Sequence, residues 1–334
     1  EADIFITLGP TGANPFYAFV ENQGLTAEDI THGTFDLSPE INEHIVGGLT
    51  QFGIDQQPYY QGFGAMTAVV QAARYGILPA MPITPTGPGF ITVNELETEL
   101  DPTRPLKIIS VQHALCAWDA FWCVVENGIQ TAADGFGVEV EILGPDKFDL
   151  EKTATLIEQA VAANPDGLMV TITDADLFRE PLMRAIDAGI PVVAFNSGGG
   201  PEADGIPYLT LFAQDEYLAG SLAAKRLAAA AGEGDHNAVC INHGVGSYWG
   251  DTRCSGFADA MDELGIPSEV LGIGDDPAES TTIIGDYYAA HPEADIFITL
   301  GPTGANPFYA FVENQGLTAE DITHGTFDLS PEIN

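Results

Sequence analysis

The stretch LKIISVQHALCAWDAFWCVVENG, residues 106–128, decides how the rest of the chain is interpreted. It opens with a short apolar run, LKIISV, and passes through an aromatic-rich turn into a stretch with the apolar spacing of a helix. A short apolar strand followed by an amphipathic helix is typical of a βαβ unit. We therefore predict a strand over 106–111 and a helix over 121–136.

The same alternation continues to the end of the chain. Further strands are predicted at 138–143, 167–172, 191–196, 238–242, 268–273, 295–300 and 323–329. Further helices are predicted at 150–164, 180–190, 217–232 and 255–265. Alternating strands and helices indicate parallel sheets covered on both faces, and the series restarts after Gln214. The sequence therefore predicts an α/β fold with two doubly wound parallel-sheet lobes.

Residues 1–42 recur without one difference as residues 293–334. Because natural repeats drift apart, this identity indicates engineering, a very recent duplication, or a gene read around a circularised template. A segment repeated once at each end makes the sequence a ring cut open with an overlap. We interpret the chain as circularly permuted, with its ancestral ends at a Pro-bracketed linker, 101–105.

The ring order predicts how the lobes are assembled. Lobe one is predicted to comprise 106–212 with 58–77. Lobe two is predicted to comprise 214–334 with 1–55 and 79–100. The copies 1–42 and 293–334 then compete for one place in lobe two, so one copy is expected to be docked and the other displaced, disordered or swapped. Three crossovers, near 212–215, 53–57 and 78–82, are predicted to join the lobes in a three-stranded hinge.

The charge of the chain is extreme, with 49 acidic residues against 10 Lys and Arg and a formal net charge of −39. Nucleic acid and anionic membrane surfaces are therefore expected to be poor partners. Such an acidic surface resembles those of proteins that work in high salt, where screening suppresses self-repulsion. An acidic secreted protein from a mesophile is the alternative. No apolar run is long enough to span a membrane, and no export signal precedes the first strand, so we expect any signal to be missing from this chain.

The cysteines and histidines predict no cofactor or metal. Cys116 with Cys123 and Cys240 with Cys254 form two close pairs in equivalent places, which suits either two disulfides or buried free thiols. The seven histidines are scattered, and the chain has no HExxH or CxxC motif. No nucleophile has a partnered base.

Six short segments, taken together with their order and spacing, identify a resemblance to a known family. They are HALCAWDAFWCVVENG (113–128), GIPVVAFNSG (189–198), FAQDEYLAG (212–220), RCSGF (253–257), TFDLSPEI (326–333) and IDQQPYYQG (54–62). Together they resemble the sugar-binding branch of the type I periplasmic binding proteins, which contains ribose-, galactose- and allose-binding proteins.

A sugar presents apolar C–H faces and a belt of hydroxyls, so its site needs aromatic plates and planar polar side chains. The resemblance implies such roles here: Phe121 and Trp122 match a stacking pair, and Arg253 matches an arginine that forks onto sugar oxygens. The predicted ligand-binding residues are Asp119, Phe121, Trp122, Asn196, Arg253, Asp36, Asp328, Gln56, Asp55 and Trp249, with Asp275 as a further carboxylate.

Several positions leave alternatives open. Asn196 and Ser197 stand where the family has Asp and Arg, and Asp119 stands where ribose binders have Asn, so the resemblance does not fix the sugar. The aromatic pair could instead be helix core, and Arg253 could serve in a structural salt bridge. Trp249, expected in the loop after strand 238–242, could be a wall of the site or only packing.

The resemblance implies extracytoplasmic binding of a monosaccharide or sugar-like polyol by hinge closure, with delivery to the membrane permease of an ABC transporter. The implied location is periplasmic or extracellular, with a lost lipoprotein anchor as a variant. A monomer is expected, with a segment-swapped dimer as the alternative. The rival functions are a ligand-sensing partner of a membrane receptor and, less favoured, an enzyme. A transcription regulator would need a helix-turn-helix and a basic face, which the sequence lacks.

Overall fold

The computed structural model of the protein describes residues 2–76, 78–79, 83–96 and 103–328. The chain divides into two compact units, Glu1–Arg104 and Pro105–Asn334. Residues 101–102 of the predicted linker and 80–82 of a predicted crossover lie outside the described residues. The predicted lobe boundaries, the hinge and the circular permutation stay predictions.

The first unit is built on a four-stranded sheet in the order β1-β2-β3-β4. The first three strands are parallel, and the last is antiparallel to its neighbour. Its strands are β1 Ile4–Thr7, β2 Thr31–Phe35, β3 Thr50–Asp55 and β4 Gly89–Ile91. Its helices are α1 Pro10–Gln23, α2 Pro39–Val46, α3 Pro58–Tyr75 and α4 Val93–Leu96.

The second unit begins with a five-stranded parallel sheet. Its strands are β5 Lys107–Val111, β6 Glu139–Leu143, β7 Gly167–Val170, β8 Val192–Phe195 and β9 Leu211–Phe212. Its helices are α5 Ala120–Phe136, α6 Leu150–Ala162, α7 Ala175–Asp187 and α8 Pro201–Asp204. The strand order is β6-β5-β7-β8-β9, and the sheet packs on a core that includes the fully buried Ile109, Leu168 and Phe178.

The second unit continues with a four-stranded parallel sheet in the order β11-β10-β12-β13. Its strands are β10 Ala238–Asn242, β11 Ser268–Gly272, β12 Ile296–Thr299 and β13 Thr323–Thr326. The helices are α9 Glu216–Ala231, α10 Tyr248–Glu263, α11 Pro277–Ala290 and α12 Pro302–Gln315. Strands β5 to β8 and β10 to β13 confirm the eight predicted strands, while the short β9 was not predicted. The two sheets confirm the doubly wound α/β fold.

Two predicted helices start earlier than expected, and the one expected over 180–190 begins at Ala175. The helix expected over 255–265 begins at Tyr248, so Trp249 lies in the first turn of α10 and not in a loop. The reason is local, because the Ser247 hydroxyl accepts a hydrogen bond from the Gly250 N–H and caps the helix. Trp249 is therefore held on a rigid element.

The two copies of the repeated segment adopt the same local structure. Each forms a strand, a helix and a second strand in the same register, with Ile4 opposite Thr31 in one copy and Ile296 opposite Thr323 in the other. A histidine lies 3.1 Å from a threonine hydroxyl in both, as His32 with Thr7 and His324 with Thr299. The segment itself therefore determines this strand–helix–strand unit.

The surroundings of the two copies differ. Strand β12 pairs with both β10 and β13, and Ile296 and Ile298 are 0% and 1% exposed. Strand β1 is at the edge of its sheet, and the equivalent Ile4 and Ile6 are 76% and 56% exposed. The second copy, which begins at residue 293, thus pairs with β10 through its first strand. The first copy, residues 1–42, is also folded, and its second strand pairs with β3 in a separate sheet.

The four cysteines form two disulfides, Cys116–Cys123 and Cys240–Cys254. This resolves the open alternative in favour of disulfides. The first closes the exposed turn between β5 and α5, and the second joins buried positions on β10 and α10. Among the helices of the described residues, none is long and apolar enough to cross a membrane.

Helices α9 and α10 approach each other closely through two glycines. A Cβ on Gly220 would overlap the backbone carbonyl of Arg253, and a Cβ on Gly256 would overlap the carbonyl of Tyr217. Only residues without a side chain allow this backbone contact. The contact holds together the two helices that carry Arg253 and Glu216.

Replacing Gly256 by Ala is therefore expected to lower the free energy of unfolding by about 1–3 kcal/mol, because the helices must move apart. Urea denaturation measures the change. Gly128 on α5 is the matched control, since a Cβ there would meet no atom within 4 Å. Gly128→Ala is expected to leave stability unchanged or raise it by up to about 1 kcal/mol. Equal destabilisation by both variants would show that the close approach is unimportant.

Candidate ligand-binding cleft

A cleft lies where the two sheets of the second unit face each other, at the carboxyl ends of their strands. It encloses about 540 Å³, including the part that is open to solvent. Its walls come from the segments after β5, β6, β8, β10, β11, β12 and β13, and from the first two turns of α10. In doubly wound sheets this end of the strands is where ligands bind, because the strand order reverses there and leaves a crevice.

Seven of the predicted site residues line this cleft, namely Asp119, Phe121, Trp122, Asn196, Trp249, Arg253 and Asp328. The other three are in the first unit, where Gln56 donates a hydrogen bond to Asp36 and Asp55 accepts one from the Gln57 N–H. Asp36 is the copy of Asp328 in the repeated segment. The structure thus brings seven of the ten together, and the roles of all ten in binding stay predictions.

The walls of the cleft are aromatic. All three tryptophans of the chain, Trp118, Trp122 and Trp249, line it. Trp122 meets Phe121 edge to face, with ring centroids 5.4 Å apart. Trp122 is only 3% exposed and also packs against Phe195, so it belongs both to the wall and to the core behind it. These rings offer the flat apolar surfaces that C–H groups of a ligand can cover.

Trp249 faces this group from the second sheet. Its ring lies 6.3 Å from that of His113 at an interplanar angle of 17°. Gly244 leaves room for the indole, because a Cβ there would overlap the ring. Trp249 is 7% exposed, and its Nε1 has no hydrogen-bond partner among the described residues. A buried N–H without a partner is costly, so this donor is suited to a ligand oxygen.

Arg253 is held in a buried ion pair. Its Nε donates to Glu216 Oε2 at 2.6 Å and its Nη2 to Glu216 Oε1 at 3.2 Å. Its Nη1 donates to the Leu300 carbonyl at 3.1 Å. The side chains of Arg253 and Glu216 are 7% and 2% exposed. The structural salt bridge considered for Arg253 therefore exists, while the same side chain also lines the cleft. The second N–H of each terminal nitrogen leaves the guanidinium able to donate further.

Three carboxylates line the same space. Asp119 caps α5 by accepting the Phe121 N–H, and its Oδ2 accepts the Thr303 hydroxyl at 3.0 Å, which joins the two sheets' walls. Burial raises the pKa of Asp275. Burial also raises the pKa of Asp328, and the nearby Arg253 opposes this shift. The three carboxylates thus border the cleft as hydrogen-bond acceptors.

His113 and His243 also line the cleft, although neither was predicted to bind a ligand. Burial lowers the pKa of each to about 3, so both rings are neutral near pH 7. Their equivalent places, just after the first strand of each sheet, are the signal that could have identified them. Glu216 was likewise missed, although it lies in the quoted segment 212–220. Within the described residues, no group of His, Cys, Asp and Glu is arranged to hold a metal ion.

Comparison with known proteins agrees with this architecture. A family model described as a periplasmic binding protein domain matches residues 117–333. The xylose/arabinose-binding protein of Sulfolobus acidocaldarius is 24% identical over 256 residues, which are 75% of this chain. This chain spans only 58% of the length of that relative.

Two solved structures share the fold. An ABC sugar transporter protein, described as a periplasmic sugar binding protein, from Legionella pneumophila has a TM-score of 0.63 and 25% identity, and the match covers 68% of this chain and 83% of that one. A carbohydrate transporter protein from Acidothermus cellulolyticus, in complex with myo-inositol, has a TM-score of 0.61 and 30% identity, with 69% and 76% covered. These relatives are named as binding or transport proteins, in agreement with the prediction of a binder and not an enzyme. With its doubly wound sheets and the family match over most of its length, the chain belongs to the periplasmic binding protein family.

Proposed function

We propose that this protein binds one monosaccharide or sugar-like polyol in the cleft of its second unit, outside the cytoplasm, for delivery to an ABC importer. The observation that carries the proposal is the combination of aromatic walls and polar side chains contributed from both sheets. A ring of hydroxyls with apolar faces is the ligand class that fits such a lining. The relatives with known ligands agree, since one is named for xylose and arabinose and another holds myo-inositol.

Each polar group then has a distinct task. Asp119 and Asp328 accept hydrogen bonds from hydroxyls, and Arg253 donates to ligand oxygens while Glu216 fixes its orientation. Asn196 can donate and accept at once. Its backbone lies in the left-handed region, with φ at 63°, a conformation that Asn tolerates well. We propose that Asp328, and not its copy Asp36, supplies the carboxylate, because only Asp328 lies with the other cleft residues.

Closure of the lobes is the proposed mechanism. Contacts to a ligand that form only when both walls are present favour the closed state, because the ligand then binds that state more tightly. The two disulfides support an oxidising location such as the periplasm or the cell exterior. A membrane permease is the proposed partner of the closed form, and docking on a membrane receptor is the alternative with the same binding chemistry.

A thermal-shift screen against pentoses, hexoses, inositols and linear polyols tests the proposal. A ligand at about 100 times its dissociation constant adds roughly 2.7 kcal/mol to the stability of the native state, so a true ligand raises the melting temperature. Asp328→Asn is expected to weaken binding about 10- to 100-fold, because a hydrogen bond to a charged group is lost. Asp36→Asn is its sequence-matched control and is expected to bind normally. If no compound in the panel shifts the melting temperature, the proposed ligand class is wrong.

A further inference from the structure

The charges of the cleft are unbalanced. Asp119, Asp275 and Asp328 line it, and Arg253 is the single Lys or Arg among its described lining residues. The guanidinium is already paired with the buried carboxylate of Glu216 through two hydrogen bonds. The opposite charges of Arg253 and Glu216 offset each other. The three aspartates therefore have no cation of their own among the described lining residues. The exposed Lys147, near Asp275 but outside the lining, is hydrated by solvent.

A neutral sugar does not remove this imbalance. Hydroxyls can donate hydrogen bonds to carboxylates, but they bring no charge, and a ligand that fills the cleft also displaces water from the carboxylates. Burial raises the pKa of Asp275 and Asp328, because a carboxylate that loses water is less stable in its charged form. A positive charge on the ligand would stabilise all three carboxylates at once.

The aromatic walls point to the same ligand chemistry. Trp118, Trp122 and Trp249 line the space that the carboxylates border, and the faces of indole rings attract cations. Arg253 already lies 5.2 Å from the Trp249 ring centroid, so one indole accepts a cation in this way. A second observation, independent of the charge, is that Trp249 is 7% exposed and its Nε1 has no partner in the described part of the chain. The cleft wall therefore combines an unpaired N–H with the indole rings that border the carboxylates.

We propose that the cleft is built for a polyol that carries a protonated primary amine, such as an amino sugar or an amino-inositol, in preference to a neutral sugar. This rests on the proposed function, of which it narrows the ligand class. The ammonium would lie among the three carboxylates, and the hydroxyls would bind Arg253, Asn196 and the Trp249 N–H. No bond is made or broken.

Matched pairs of ligands test the preference by isothermal titration calorimetry at pH 7. The pairs are glucosamine with glucose, galactosamine with galactose, and an amino-inositol with myo-inositol. In at least one pair the amine is expected to bind more than about tenfold more tightly than its hydroxyl partner, a ratio that corresponds to one favourable charge interaction. Raising the salt concentration from 0.1 to 1 M is expected to reduce the ratio.

Two variants separate this proposal from a general loss of binding. Asp275→Asn and Asp328→Asn keep the shape of the side chain and remove its charge, so each is expected to lower the amine-to-hydroxyl ratio about fivefold or more. Asp286→Asn removes an exposed carboxylate on α11 as the control and is expected to leave the ratio unchanged. Melting temperatures of the three variants show whether the fold is retained.

The outcomes are distinguishable. Neutral sugars that bind as tightly as their amines, or more tightly, in every pair would overturn this proposal and leave the proposed function intact. An amine preference that both Asp variants retain in full would also overturn it, because the charge of the cleft would then not be its source. Absence of binding by every member of the pairs and of the wider panel would contradict both proposals.

Discussion

Replacing Arg253 by Ala is expected to abolish measurable ligand binding and to lower the free energy of unfolding by about 3–5 kcal/mol. The loss is large because the variant leaves the buried carboxylate of Glu216 without a counter-charge. The variant also removes the hydrogen bond to the Leu300 carbonyl. Urea denaturation measures stability, and calorimetry with a ligand found in the screen measures binding.

A double variant separates the two effects. Arg253→Met with Glu216→Leu removes both charges, so most of the stability is expected to return while binding stays lost. Arg253→Lys keeps the charge but cannot make the two-pronged contact with Glu216, and an intermediate result is expected in both measurements. Wild-type stability in Arg253→Ala would show that the ion pair contributes nothing to the fold. Wild-type affinity would remove Arg253 from the binding site.

Removing the buried disulfide by Cys240→Ala with Cys254→Ala is expected to lower the free energy of unfolding by about 3 kcal/mol. The estimate follows from the entropy of closing a loop between residues 14 apart in sequence. The bond joins β10 to α10, the helix that carries Trp249 and Arg253. Its removal therefore destabilises two elements that form the cleft. Chemical denaturation of the oxidised protein and of the variant measures it.

The disulfide Cys116–Cys123 is the natural comparison. It closes an exposed turn with a sequence separation of 7, so its removal by Cys116→Ser with Cys123→Ser is expected to cost less stability. The loop closed by this disulfide contains Asp119, the N-cap of α5, and the helical residues Phe121 and Trp122. We expect ligand affinity to fall because these side chains become less ordered. If the exposed pair matters more for stability than the buried pair, the predicted order is wrong.

The strands could be predicted because each is a short apolar run bounded by turn residues, as in 238–242. The repeated segment shows that burial, unlike local structure, could not be predicted from the sequence. Two identical sequences form the same strands, helix and histidine–threonine contact, yet Ile296 is buried and Ile4 is exposed. Local structure follows from the segment, whereas burial depends on whether β10 lies beside it. No pattern within 42 residues contains that information.

The site was predictable to the extent that ligands bind at strand ends. Asp119, Asn196 and Asp328 each follow a strand, and all three line the cleft. The partner of Arg253 was not predictable, because Glu216 meets it only when α9 and α10 pack closely. Trp249 was assigned to a loop because its sequence is rich in glycine, and the capping role of Ser247 was overlooked.

Intrinsic tryptophan fluorescence, measured while a ligand found in the screen is added, tests the central claim most directly. Every tryptophan of the chain lines the cleft, so the whole signal comes from the proposed site. The account predicts a saturable change in emission with a stoichiometry of one ligand per chain, at the same dissociation constant that calorimetry gives. Calorimetric binding that leaves the emission unchanged would contradict the account, because the ligand would then bind elsewhere on the molecule.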